Sequence, residues 1–281
     1  MKHFRSLLAG AALGGVAAAL VALDAFYIEP DWLSFETIDI PIADLPDAFD
    51  GYRIALMADF QYPRWTDADF VRKAIAMAMK FQPDLVAMPG DFVDLRRGTV
   101  CPDLTGLFDA AGAAPDGAVG VLGNHDHWIN AAGVRREMAL HTPIRLIENT
   151  SFLIERGGAK IAVGGVGDMW EGVADPERAF EGVAPDVSRI LLSHNPDIAE
   201  RRIDTRIDLQ LSGHTHGGQV RIPFGPAIKT QSIYGNKLRA GLVEGRHHRV
   251  YITRGVCTVR GVRFCCRPEV TGITLKKQVT P

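Results

Sequence analysis

Arg53-Ile54-Ala55-Leu56-Met57-Ala58-Asp59-Phe60-Gln61 is an apolar run that ends on two polar side chains one residue apart. The same design recurs four more times. Leu85–Pro89 leads to Gly90-Asp91, and Ala118–Leu122 to Gly123-Asn124-His125-Asp126. Arg189–Leu192 leads to Ser193-His194-Asn195, and Ile207–Leu211 to Ser212-Gly213-His214-Thr215-His216. Short apolar runs bounded by turn residues read as strands buried on both faces. Strands of layered α/β proteins deliver side chains to a site at their carboxyl ends, so five such tips can converge on one cleft.

Between the tips the chain alternates. Thr66–Phe81 reads as an amphipathic helix: Thr66 and Asp69 have capping-box spacing, Val71, Ile75, Ala78 and Phe81 share a face, and Pro83 stops it. Further helices are expected near Leu104–Ala111, Val134–Leu140, Pro176–Phe180 and Pro196–Arg201. Short β segments are expected around Ile144–Ile147, Phe152–Glu155 and Ile161–Val166, with Gly157-Gly158 as a hairpin turn. Late strands are expected at Val220–Ile222, Arg249–Thr253 and Val270–Leu275, and Trp32, Phe35, Ile38 and Ile40 are spaced like an edge strand. Two sets of strand–helix units predict an α/β protein of two packed sheets with helices outside.

The chain has 281 residues, 47% of them hydrophobic, and 29 glycines, which suits a compact α/β protein with many tight turns. A net charge of −2 and no basic patch speak against a nucleic-acid partner, and a monomer is expected. Lys2 and Arg5 precede the uncharged run Leu7–Leu23, and Asp24, Glu29 and Asp31 follow it. As a helix that run would reach ~26 Å, near the ~30 Å of a hydrocarbon core. The charge order predicts a single-pass inner-membrane anchor with the domain outside the cytoplasm, or a signal peptide removed on export. The expected units are therefore a signal-anchor over 1–28, a connecting arm over 29–50 and a main domain over 51–281. Of the four cysteines, Cys101, Cys257, Cys265 and Cys266, none forms a Cys-x-x-Cys pair, and small buried residues near strands is the plain reading for the last three. His127, His141, His247 and His248 sit in no motif and read as surface residues.

The order of the tips resembles the calcineurin-like metallophosphoesterases, whose pattern is Asp-x-His, Gly-Asp, Gly-Asn-His-Asp/Glu, a lone His, then Gly-His-x-His. One element departs: Gln61 stands where the family has His. The resemblance spans roughly Tyr52 to Leu275 and implies a four-layer αββα sandwich of two mixed sheets. It also implies a site for two divalent metal ions. Asp91 would bridge them, Asp59, His216 and Gln61 would hold the first, and Asn124, His194 and His214 the second. Mixed imidazole and oxygen ligands suit Mn²⁺, Fe or Zn²⁺, and a hydroxide shared by the ions would attack phosphorus. His125 would face the substrate as a catalytic group, with Asp126 orienting its ring. At Gln61 three outcomes stay open: an oxygen ligand, a water or Asp94 in its place, or a weakly filled first site.

Gly217-Gly218-Gln219, Pro223-Phe224-Gly225, Thr253-Arg254-Gly255, Arg263-Phe264 and Pro268-Glu269 extend the resemblance to a narrower bacterial branch of membrane- or wall-associated phosphoesterases. Its usual Gly-x-Gly is Gly255-Val256-Cys257 here. Arg254 and Arg263 could meet a phosphate, against the plainer reading of structural ion pairs. The expected activity is hydrolysis of a phosphodiester, and also of monoesters, on a lipid- or envelope-derived substrate. A pyrophosphatase acting on a nucleotide-linked lipid precursor, or a binding protein that has lost turnover, are the alternatives.

Overall fold

The computed structural model describes residues 14–278. Its first sheet has the order β1-β14-β2-β4-β6-β7, from Ser34–Ile42 (β1), Glu269–Lys277 (β14), Arg53–Leu56 (β2), Leu85–Pro89 (β4), Ala118–Val121 (β6) and Ile144–Leu146 (β7). The second has the order β12-β13-β11-β10-β9-β8, from Gly241–Glu244 (β12), Arg249–Ile252 (β13), Leu209–Ser212 (β11), Ser188–Leu192 (β10), Ala159–Gly165 (β9) and Thr150–Arg156 (β8). Both are mixed. β2, β4, β6 and β7 run parallel and β14 opposes β2. β9, β10, β11 and β13 run parallel, with antiparallel β8 and β12 at the edges.

Burial explains why these strands read as unbroken apolar runs. Ile54 and Leu56 of β2 face the core between the sheets, while Ala55 and Met57 face the outer core. Leu85 and Ala87 of β4 divide from Val86 and Met88 in the same way, and Ile190 and Leu192 of β10 from Leu191. Alternate side chains leave a strand on opposite faces, so a strand covered on both has little room for polar positions.

The outer face of the first sheet is covered by α1 (Ala68–Lys80), through Val71, Ala74, Ile75 and Ala78, and by α2 (Asn124–His141), through Ile129, Val134 and Met138. Asp67 caps α1 by accepting from Phe70 N at 2.8 Å, in place of the expected Thr66. The second sheet has a thinner cover: α3 (Pro176–Ala179) and the 3₁₀ turn Pro196–Glu200, with Phe180, Ile198 and Ile207 packed on it. Leu104–Ala111 forms turns and the 3₁₀ piece Asp109–Ala113, because Pro102, Gly106 and Gly112 interrupt a longer helix. Val220–Ile222 makes only isolated bridges beside Pro223 and Pro226.

One expectation is overturned. Among the described residues no helix is long and apolar enough to cross a membrane. Residues 14–23 are helical and pass into the π turn Asp24–Ile28 and the 3₁₀ turn Glu29–Asp31; the expected span's first part, before residue 14, lies outside the described residues. The start of this segment's end is docked on the domain: Ala25 O accepts from Arg263 N at 3.0 Å, and the buried Glu29 carboxylate accepts from the amides of Cys265 and Cys266. The transmembrane or signal helix is therefore withdrawn as part of the fold. The described residues thus give no support to the inner-membrane anchor or to the membrane as a partner.

Candidate metal centre

All five tips meet at one end of the paired sheets. Asp59 and Gln61 follow β2, Asp91 follows β4, Asn124 opens α2 after β6, His194 follows β10, and His214 and His216 follow β11. Backbone bonds align the first two tips, Asp59 N donating to Gly90 O at 3.0 Å and Gln61 N to Asp91 O at 2.9 Å. Glycine is needed where tips crowd: a Cβ on Gly90 would lie 2.8 Å from His194 Nδ1, and one on Gly213 would lie 2.6 Å from Asp59 Oδ2. Asp59, Gln61, Asp91, His214 and His216 all have left-handed backbones, with φ between 48° and 71°.

Ligand atoms of Asp59, Asp91 and His194 lie within 4.8 Å of one another, and all three residues are buried. His194 Nδ1 lies 2.8 Å from Pro89 O and can only donate there, so Nε2 is the nitrogen left for an ion. That nitrogen faces Asn124 Oδ1 at 3.2 Å, Asp91 Oδ2 at 3.3 Å and His214 Nδ1 at 3.1 Å. His214 Nε2 is buried without a hydrogen-bond partner. On the other side His216 Nε2 lies 3.6 Å from Asp59 Oδ1, and both Asp59 oxygens accept from His214 N. Gln61 Nε2 donates to Asp91 Oδ2 at 3.0 Å.

The electrostatics match a seat for positive charge. Burial alone would lower the pKa of His194, but the Asp91 charge and hydrogen bond overcome it and push it up to about 10. Burial would likewise raise Asp91, yet the charges of His194 and His125 hold it well below the usual carboxylate range. Burial pushes Asp59 up to about 7, helped by the Asp91 charge and opposed by His194. His216 is lowered to about 3 by burial and the Arg263 charge, and His214 falls well below its usual value through burial and the His194 charge. A proton on His194 thus offsets the Asp91 charge, and a divalent cation would take its place beside the neutral rings of His214 and His216.

His125 sits at the rim, half-buried, its backbone N donating to Asp91 Oδ1 at 2.9 Å. Its ring partner differs from expectation. Asp126 turns away from it and accepts from the amides of Gly123 and Val93, both at 2.9 Å, and Phe92 at 3.3 Å, closing the start of α2. The carboxylate beside His125 Nδ1 is that of Asp94, at 3.3 Å. The two-stranded pairing of Tyr62–Pro63 (β3) with Val93–Asp94 (β5) places it, and Trp65 Nε1 donates to the same oxygen, Oδ2, at 2.7 Å. Burial would lower the pKa of His125, and the Asp91 and Asp94 charges raise it.

The cluster opens into a cavity of about 610 Å³, walled by Trp128, Trp170, Val220, Ile228, Lys229 and Arg260. Trp170 stands perpendicular to the His214 ring at 4.3 Å, and Trp128 lies 4.8 Å from the His125 ring. None of these walls is signalled in the sequence, because they come from loops without periodicity. Neither arginine of the tail lines the cavity. Arg254 pairs with Glu36 at 2.7 Å and Glu269 at 2.9 Å. Arg263 is fully buried and donates to the carbonyls of Cys257, Arg254 and Cys266. His248 is buried rather than exposed, bonded to Gln210 Oε1 at 2.7 Å.

A family model described as calcineurin-like phosphoesterase matches residues 52–218. The chain is 33% identical over 260 residues to Phosphodiesterase YaeI of Escherichia coli strain K12, covering 89% of this chain and 90% of that protein. It is 30% identical to the uncharacterized metallophosphoesterase YkuE of Bacillus subtilis strain 168, over 89% of this chain and 88% of that one. It is 27% identical to UDP-2,3-diacylglucosamine pyrophosphatase LpxG of Chlamydia trachomatis serovar D, over 87% and 89% respectively.

Proposed function

The chain belongs to the calcineurin-like phosphoesterases and is a metal-dependent hydrolase of phosphoester bonds, and we propose that its substrates are phosphodiesters carrying a large apolar group. Asp91 would serve two divalent ions, with Asp59 and His216 on the first and Asn124, His194 and His214 on the second; Mn²⁺, Fe or Zn²⁺ suits this set. Such ions supply Lewis acidity and a nucleophile at neutral pH. His125 is the proton donor to the leaving oxygen: Asp94 takes Nδ1, which leaves Nε2 for the cavity that the ring lines. The Asp91 and Asp94 charges raise its pKa against burial, which favours the protonated ring. Asp126, bound to three amides, keeps the first turn of α2 and hence Asn124 and His125 in position.

The observation that carries the metal assignment is the convergence of buried ligand atoms of Asp59, Asp91 and His194 within 4.8 Å, with Asn124 Oδ1 3.2 Å from His194 Nε2. The substrate class rests on the cavity wall. Ile228 lines it, and Ile222, Ile233 and the fully exposed Phe224 continue an apolar surface on the same loop. Lys229 and Arg260 beside it would meet the phosphate charge. A lipid-like diester has both features. The substrate in the name of the relative LpxG, a nucleotide-linked diacyl sugar, combines them as a pyrophosphate and is the second probe.

The full chain, stripped of metal and reloaded with Mn²⁺ or Zn²⁺, tests this with a chromogenic phosphodiester, its monoester, and diesters of increasing alkyl length. Metal-dependent turnover that prefers the diester, with kcat/KM rising with alkyl length, is the expected result. Preference for the monoester, or indifference to the alkyl group, would overturn the substrate class.

A further inference from the structure

Beside the metal cluster four polar groups run in line from His216 to Asp91. Cys257 Sγ lies 3.8 Å from His216 Nδ1 and 3.3 Å from Gln61 Oε1, and Gln61 Nε2 lies 3.0 Å from Asp91 Oδ2. All four residues are buried. Backbone bonds hold the line together: Cys257 N donates to Asp59 O, and Val256 N to Ala58 O, both at 2.9 Å.

The direction of the protons follows from His216. It is Nε2 that faces Asp59, at 3.6 Å. For Nε2 to offer a lone pair to an ion, the ring proton must sit on Nδ1, where it points at Cys257 Sγ. A thiol that accepts there has its own proton to give, and Gln61 Oε1 receives it. With its oxygen occupied, the amide presents its NH₂ to Asp91, whose ionised carboxylate only accepts. Every donor then meets an acceptor, head to tail, and each link polarises the next. Turning the amide over would set its oxygen against the Asp91 carboxylate and its NH₂ against sulfur. The thiol proton would then go to His216 Nδ1 and the ring proton to Nε2, which closes His216 to an ion.

We propose that His216, Cys257, Gln61 and Asp91 form a one-way hydrogen-bond relay, in which Gln61 is a positioning residue that donates to Asp91 rather than a metal ligand, and Cys257 sets the tautomer of His216. This rests on the assignment of Asp91 and His216 to the metal centre. The two departures in the sequence, Gln61 at the first tip and Cys257 in the late turn, are then one paired device. The first ion keeps Asp59, Asp91 and His216 as its protein ligands.

Nitrogen NMR of the full chain, metal-free and with ¹⁵N-labelled histidine, reads the tautomer directly; His216→Asn assigns the signal. The Nδ1–H form is expected in the wild type, lost in Cys257→Ala and restored in Cys257→Ser. The Nε2–H form in the wild type, or no change in Cys257→Ala, overturns the relay. Calorimetry with Mn²⁺ supplies a second arm. Because Asp91 serves both ions, Gln61→Ala should weaken both together by about tenfold, the usual scale for groups behind a ligand. Selective weakening of one ion would make Gln61 a ligand and overturn the proposal. If no Mn²⁺ binds at all, the metal centre of the proposed function fails, and the tautomer in the metal-free chain still decides the relay.

Discussion

Around His194, the oxygens Asn124 Oδ1 and Asp91 Oδ2 both lie within 3.3 Å of Nε2, and His214 Nε2 lies buried without a partner. Around His216, in the same cluster, the groups have found protein partners: Cys257 meets His216 and Gln61, and Gln61 meets Asp91. The first half is incomplete without a cation, because lone pairs crowded out of water have nothing else to satisfy them. The second is largely satisfied as it stands. One fold can thus give two neighbouring positions unequal hold on the same kind of ion, by leaving one frustrated and letting the other close on itself.

The carboxylate common to both halves gives the sharpest break. Asp91→Asn should lower diester hydrolysis on the order of 10³-fold, with elemental analysis showing ions lost from both positions; turnover lost with both ions retained would refute the sharing. His125→Ala belongs to neither half, so turnover should fall about 10²-fold while bound ions stay constant. A variant that sheds an ion would place His125 among the ligands instead. His214→Ala and His216→Ala separate the halves. Each should weaken one ion by about 10–100-fold, and titration should show that His214→Ala removes the tighter one; the reverse order would invert the comparison.

The smallest effect concerns pH. The Asp91 and Asp94 charges raise the pKa of His125 against burial, and the protonated ring is the working form. Rate should therefore fall as pH rises through that pKa. Asp94→Asn should move the alkaline fall to lower pH and cost about tenfold at neutral pH. A kcat/KM profile that keeps its alkaline limb in place would remove Asp94 from the mechanism.

The five tips were legible because each is a local signal, an apolar run ended by a turn residue and a polar side chain. Local signals also carry the two sheets, since strands buried on both faces are mostly apolar, as Leu85–Pro89 and Ala118–Val121 are. What stayed hidden depends on distant segments meeting. Asp94 lies beside His125, 31 residues on, because a two-residue bridge of β3 to β5 turns it inward. Cys257 reaches Gln61 across 196 residues, with no periodicity to announce it. The resemblance makes Asp126 a ring orienter, yet three amides at the start of α2 claim it. Hydropathy marked the first segment as a membrane span, but it does not register Glu29 anchoring the end of that segment to the Cys265–Cys266 turn.

The left-handed backbones of Asp59, Gln61, Asp91, His214 and His216 have a consequence for anyone who would engineer this chain. Each costs on the order of 1 kcal/mol relative to glycine in the same conformation, so a good part of the stability that glycine could recover lies at positions the chemistry occupies. A library screened for heat resistance alone would be drawn to glycine there, and its hardiest survivors would be inert. Thermal selection on this protein has to be coupled to a turnover assay from the first round.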